Sequence, residues 1–180
     1  MKMVYSFIQA KNFTKGRNNK IVRMVVLHTM ETPESKGRAL QVANWFAGST
    51  APQASAHYCV DDKEIIQSVK DEDTAWAVAD FDLNQQSISI ELAGSASQTV
   101  AQWNDTYSKS EMSHLVELSK ELCKRYSIPA IHLTPAQILD GKSKGIAYHH
   151  DITIAKKIAG GHIDPGANFP LANFLKAISN

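Results

Sequence analysis

A chain of 180 residues can bury one substantial core without help from disulfides, and 43% hydrophobic with 21% charged residues is ordinary for a soluble globular domain. With 19 basic against 18 acidic side chains, a formal net charge of +1 leaves no electrostatic footprint for a nucleic-acid partner. The longest apolar runs are too short to span a membrane, and "MKMVYSFIQAKNF" has neither the apolar core nor the cleavage site of a secretory signal, so cytoplasmic synthesis and no membrane partner are expected.

In chain order, "KIVRMVVLHT", Lys20 to Thr29, is a β-branched, mostly apolar run of the kind found in a strand buried on both faces, and it ends near His28. "KGRALQVANWFAG" reads as a helix with Leu40, Ala43, Trp45 and Phe46 near one face and Gly48 as its stop. "SAHYCVDDKEIIQSV" reads as a hairpin, two apolar runs split by "DDKE". In "QQSISIELAG" the period-2 alternation sets Ile88, Ile90 and Leu92 on one face of a strand and Ser87, Ser89 and Glu91 on the other.

"SKSEMSHLVELSKELCKRYSIP" carries a capping-box pattern at Ser108 and Glu111 and a helical stripe through Met112, Leu115, Ser119, Leu122 and Tyr126, closed by Pro129. A short extended piece near "AIHL", a loop at "GKSKG", the segment "IAYHHDI", a short helix at "TIAKKIAGG", the loop "GGHIDPGANFP" and a last helix "PLANFLKAI" follow. Strands and helices alternate without repeats or an obvious linker, which predicts a single α/β domain. Cys59, in an expected strand, and Cys123, in an expected helix, lie at neither zinc-knuckle nor redox spacing and read as buried free thiols.

Seven histidines are present, and composition does not say which of them act. His28 stands at the C-terminal end of the best buried strand, where open α/β sheets place their ligands; alone, it reads equally as a histidine satisfied by backbone groups. His149 or His150 in "YHHDI" and Asp164 in "HIDPG" would complete a two-histidine, one-carboxylate set of the kind that binds catalytic zinc and leaves a fourth position open. Taken singly, "DPG" is a turn, with Pro165 presetting φ and Gly166 taking φ > 0.

The ordered segments "VVLHT", "SAHYCVD", "TAWAV", "SISIELAG", "AYHHDI" and "HIDPGANFP" together resemble the zinc-dependent N-acetylmuramoyl-L-alanine amidases of type 2. That family shares its fold with the peptidoglycan recognition proteins and many phage endolysins. The resemblance implies a central mixed β-sheet flanked by α-helices, one amidase catalytic domain over residues 1–180 with its core at about 20–176, and Zn2+ as cofactor. It assigns the ligands to His28, His149 and Asp164, with Asp151 as the D of an H-x-D pattern and His150 as the off-register alternative.

Some family members use a Tyr as proton carrier where this chain has Ala56, and others use a Glu where it has Glu91, so the resemblance makes Glu91 the general base and acid. Where catalytic members often carry a Lys that steadies the oxyanion, this chain has His162, which puts the pH profile in question. His57 and Trp76 match positions that line or support the cleft, and the His usual after that Trp is missing from "AWAVAD". His114 and His132 are assigned to no site, while Trp45, Phe46 and Trp103 fit either the core or the border of a glycan groove.

The activity implied is cleavage of the amide between N-acetylmuramic acid and L-alanine in peptidoglycan, by a monomer. A phage or prophage endolysin is expected, released by a holin or acting from outside; no wall-binding module follows Asn180, so either the enzyme acts alone or this chain is a domain from a larger lysin. The rivals are a cytoplasmic amidase that recycles anhydro-muropeptides and a non-catalytic peptidoglycan-binding module.

Overall fold

A computed structural model describes residues 5–179; the first residues of the stretch read as lacking a secretory signal, and Asn180, lie outside the described residues. The elements in order are β1 (Ser6–Phe7), β2 (Phe13–Thr14), β3 (Met24–Thr29), α1 (Arg38–Ala47), β4 (Tyr58–Val60), β5 (Ile65–Gln67), β6 (Thr74–Ala75), α2 (Phe81–Gln85), β7 (Ser87–Leu92), a 3-10 turn (Gln102–Asn104), α3 (Thr106–Tyr126), α4 (Pro135–Leu139), β8 (Gly145–Tyr148), α5 (His149–Ala155) and α6 (Leu171–Ser179). Six strands form one mixed sheet in the order β1-β5-β4-β7-β3-β8, and β2 pairs with β6 in a separate ribbon. β3 runs parallel to β7 and β8 on either side, and the expected hairpin is the antiparallel β4-β5 pair.

Helices cover both faces of the sheet, which explains why the central strand β3 reads as a nearly continuous apolar run. On one face Val25, Leu27, Ile88, Ile90 and Leu92 pack with Leu115, Leu118 and Leu122 of α3 and with Phe174 and Ile178 of α6. The other face holds two apolar clusters, one built on α1 with Cys59 and Ile66, the other on α5 with Met24, Val26 and Ala147. Burial on this scale, at roughly 25 cal/mol per Å² of apolar surface, is the main force holding the layers together. Cys59 and Cys123 are buried free thiols.

Several local expectations are corrected. In α1 the buried stripe is Ala39, Val42, Ala43 and Phe46, spaced i, i+3, i+4, i+7; Leu40 and Trp45 lie off it and are 40% and 52% exposed. Helix α3 starts at Thr106, because the Asp105 carboxylate accepts from the Ser108 N–H (2.9 Å) and caps the chain one turn before the expected box. Ser108 then falls inside the first turn and Glu111 is buried. Helix α5 begins at His149 rather than near Thr153, with the Asp151 carboxylate accepting from the Tyr148 N–H (2.7 Å). The extended piece near "AIHL" makes only an isolated bridge, His132 to Ile146. The short helices α2 and α4 carry their own caps, Asp80 and Thr134, which the periodicity of such brief segments does not reveal.

Candidate active site

The parallel strands β3, β7 and β8 end on the same side, and the candidate residues gather there, at the carboxyl ends where α/β sheets bind ligands. His28 is the penultimate residue of β3, and the register pairs it directly with Glu91 of β7, so both side chains leave the same face of adjacent strands. The following strand, β8, delivers His149 as the first residue of α5. Asp164 comes from the loop after α5, held by a hydrogen bond from the His150 N–H to its own carbonyl (3.1 Å).

The loop is also fixed from below. Gly166 has φ +92°, and a Cβ there would sit 2.0 Å from the Ala96 carbonyl oxygen, so glycine is required both by conformation and by close approach. The neighbouring Asn168 Nδ2 donates to the Gln98 carbonyl (2.9 Å). The Ser95–Gln98 segment is in turn gripped by Glu31, whose carboxylate accepts from the Ala96 N–H (2.9 Å), the Thr29 hydroxyl (2.6 Å) and the Ser95 hydroxyl (3.3 Å). Glu31 itself takes φ +51°, a conformation uncommon for a residue with a side chain. "TMETPES" reads as a polar loop, and no sequence signal marks this role.

His28, His149 and Asp164 are all buried, and one ligand atom from each lies within 4.8 Å of the others. The Nδ1 atoms of His28 and His149 are 3.0 Å apart, and each is 3.4 Å from an Asp164 oxygen. Tetrahedral zinc with bonds of about 2.0–2.1 Å requires ligand atoms about 3.3 Å apart, and the separations between the two imidazoles and from each to the carboxylate are close to that spacing. Two imidazoles beside a buried carboxylate are also a donor set that suits a cation chemically.

Burial alone would raise the Asp164 pKa, but hydrogen bonds with His149 and His28 outweigh it and hold the carboxyl well below the usual range. Burial lowers the His149 pKa, with His28 adding to the effect. A neutral imidazole beside an ionised carboxylate is the protonation state that metal binding requires. His150 does not join the group; its Nδ1 lies 3.1 Å from the His162 carbonyl oxygen.

His162 is placed at the rim. Its ring stacks on His149 with centroids 3.9 Å apart, its Nδ1 is 3.3 Å from Asp164 Oδ1, and its side chain is 62% exposed. Glu91 is half-buried, and its Oε2 is enclosed without a hydrogen-bond partner. Burial pushes the Glu91 pKa well above the ordinary carboxylate value, and the charges of Asp164 and Glu31 push it further. A carboxyl whose pKa is raised in this way is suited to take up a proton and pass it on.

These residues line a cavity of about 500 Å³, walled by Val42, Trp45 and Phe46 from α1 and by Trp76. Trp76 is half-buried and anchored by its indole N–H on the Thr14 hydroxyl (2.9 Å). His57 does not reach the cavity: it is 0% exposed, and the Ser89 N–H donates to its Nδ1 (3.1 Å). Its Nε2 lies 2.8 Å from Arg17 Nη2 and 3.3 Å from the Asp73 carbonyl, while burial and then the Arg17 charge lower its pKa. Its placement is that of a core residue beneath β7. Asp151 is likewise turned from His28, His149 and Asp164, to His132 Nε2 (2.7 Å). His114 Nδ1 lies against the Asp61 carbonyl (2.9 Å), and Trp103 is buried in the core under α3 and α6.

A larger depression of about 1000 Å³ lies at the opposite end of the strands, lined by Tyr5, Arg17, Asp71, Arg125, Tyr126 and Lys144 among others. Its Arg17, Arg125 and Lys144 side chains are already committed to carbonyls or carboxylates, and no cluster of metal-ligating groups lies there among the described residues. The candidate site is therefore the smaller cavity.

The sequence pattern of the N-acetylmuramoyl-L-alanine amidase family matches residues 17–167, which include every residue of this site. Among solved structures, the Staphylococcus aureus hydrolase AmiA, in complex with its ligand, superposes with a TM-score of 0.71 at 14% identity, covering 99% of this chain and 84% of that one. A mutant endolysin from Bacillus subtilis gives 0.60 at 18% identity over 97% and 99% of the two chains. The N-acetylmuramoyl-L-alanine amidase LysC from Clostridium intestinale gives 0.58 at 14% identity over 96% and 95%. Comparison with curated proteins gives no significant match.

Proposed function

The chain belongs to the N-acetylmuramoyl-L-alanine amidase family, and from that premise we propose that it hydrolyses the amide between N-acetylmuramic acid and L-alanine in peptidoglycan with one Zn2+ held by His28, His149 and Asp164. The observation that carries the reading is the buried cluster in which the His28 and His149 Nδ1 atoms lie 3.0 Å apart and 3.4 Å from Asp164 Oδ2 and Oδ1 respectively, beside a carboxyl with an enclosed, unpartnered oxygen. Zinc in that set would supply Lewis-acid polarisation of the amide carbonyl and lower the pKa of water towards neutrality.

In this reading the protein's own groups do the rest. Glu91 takes the proton from the attacking water at its free oxygen and returns it to the departing alanine nitrogen, the task its burial suits it for. His162, stacked on His149 at the open rim, presents an imidazole N–H to the oxygen that gains charge. Trp45, Phe46 and Trp76 hold the substrate and keep bulk water from the reacting atoms.

A phage or prophage endolysin that reaches the wall after holin-type release is the biological setting we favour, since endolysins are among the structures that share the fold. We take the chain to act as a monomeric single catalytic domain. Among the described residues no helix is long and apolar enough to cross a membrane.

Mass spectrometry of digested peptidoglycan tests the reaction. A free stem-peptide amine with an intact lactyl carboxylate is the expected product pair; any other cleaved bond would overturn the assignment. Metal analysis of the same preparation should find about one zinc per chain, and chelation should stop the reaction until zinc is restored. Faster turnover of soluble anhydro-muropeptides than of intact walls would favour the recycling role instead, and binding of peptidoglycan without turnover would favour the non-catalytic module.

A further inference from the structure

The cavity that holds the candidate zinc set is lined by three carboxylates, Glu31, Glu91 and Asp164, and by a single lysine or arginine, Arg38. Arg38 opens α1, where its Nε donates to the Pro33 carbonyl (3.2 Å) and its Nη1 donates to Gln41 Oε1 (2.9 Å). Those two bonds fix the guanidinium plane, and no carboxylate of the described residues lies within ion-pair distance of it. Nη2 is left over. Because Gln41 accepts with Oε1, its Nε2 is also left as a donor, three residues along the same helix face and lining the same cavity.

We propose that Arg38 and Gln41 form a fork that recognises a carboxylate on the peptide side of the substrate, so that the protein selects stem peptides by their charge. The inference rests on the amidase reading above. On that side of the scissile amide, L-alanine is followed by a D-glutamyl residue joined through its side chain. Its α-carboxylate is free in some cell walls and amidated in others. Arg38 is the one lysine or arginine of the lining, and a planar guanidinium with a neighbouring amide N–H matches the two oxygens of a carboxylate. A primary amide at the same place would offer one oxygen and turn an NH2 against two donors, leaving groups unpaired.

The test compares two muramoyl tripeptides that differ only in this group, D-glutamate against its α-amide, with the zinc-loaded protein. The expected result is a kcat/KM about 10-fold or more higher for the acid, carried mainly by KM. Arg38→Gln should bring the two substrates within about 2-fold of each other with zinc content unchanged; Arg38→Lys, which keeps the charge and loses the planar fork, should fall between. Gln41→Leu should weaken the preference by less. A wild-type protein that treats both substrates alike, or a preference that survives Arg38→Gln, would overturn the proposal.

The corresponding tripeptides without the muramoyl group provide a second readout by calorimetric titration, because they contain no scissile bond. If neither muramoyl peptide is cleaved, the amidase reading falls, and the ratio of the two dissociation constants still judges the fork. A preference for the acid that Arg38→Gln abolishes supports it; equal constants for the wild-type protein overturn it.

Discussion

Asp71 at one end of the sheet and Glu91 at the other are both acids drawn into the fold, yet their surroundings are opposite. The Asp71 carboxylate accepts from the Tyr58 hydroxyl (2.7 Å), the Gln67 amide (3.1 Å) and the Tyr126 hydroxyl (3.0 Å), and it pairs with Arg125. Every oxygen there has its partners. Glu91 has none for its enclosed Oε2, and beside it His28 keeps a buried Nε2 without a partner while its Nδ1 faces another imidazole. Folding satisfies buried polar groups wherever it can, because each one left alone costs about 1–3 kcal/mol. At the Glu91 end the unsatisfied groups stand beside the His28, His149 and Asp164 cluster, where the proposed metal and substrate would complete them, whereas the carboxylate beside the larger depression is already satisfied.

The largest break in this comparison comes at Glu91. Glu91→Gln keeps the shape and removes the proton carrier, so hydrolysis should fall by roughly 10²–10⁴-fold. Zinc content and the urea midpoint should stay close to wild type, since no bond of the fold uses that carboxylate. Single-turnover rates on a muramoyl peptide, measured with zinc analysis of the same sample, check this. Retained activity would move the base elsewhere, and lost zinc would recast Glu91 as a ligand.

At the satisfied end the pattern should reverse. Asp71→Ala leaves two tyrosine hydroxyls and a guanidinium without their acceptor, for a loss of about 2–3 kcal/mol in urea denaturation. The kcat and zinc stoichiometry of the folded fraction should be unchanged. A fall in kcat as large as that of Glu91→Gln would show that the two ends are coupled and that the division between scaffold and site is wrong.

How far the sequence reveals each end follows from the range of the forces involved. The strands around His28 and Glu91 are legible because burial on both faces, or on alternating faces, leaves a local period, and the side of β7 that Glu91 occupies follows from that period alone. The candidate ligand set is read through the resemblance, and the fold brings His149 and Asp164 beside His28 although they lie 121 and 136 residues from it in the chain. What escapes is long-range and polar. Nothing local tells that Arg17 threads under β7 to donate to the Asp71, Gln85 and Ser87 carbonyls, that His57 is sealed against Ser89, or that Glu31 holds the segment on which the Asp164 turn rests. The Ser108–Glu111 capping pattern misleads for a related reason: Asp105 caps better one turn earlier, and the tertiary fold then closes over Glu111.

Glu111 gives the smallest effect and the sharpest control, because it is buried and unpartnered like Glu91 but far from any ligand set. It is 0% exposed, and neither of its oxygens has a hydrogen-bond partner. Burial raises its pKa well above the ordinary value, with the charges of Glu34, Asp61 and Asp62 adding to the rise. The folded state therefore keeps a proton that the unfolded chain releases above about pH 4.3. The stability this group contributes is full below that pH and falls as pH rises towards the elevated folded value. Glu111→Gln removes that dependence, so the variant should match wild type near pH 4 and exceed it by about 2 kcal/mol near pH 7.5 in urea denaturation, with hydrolysis unaltered. A variant less stable than wild type at both pH values would mean that the Glu111 carboxyl is paired in solution, and the argument from unsatisfied groups would then rest on Glu91 and His28 alone.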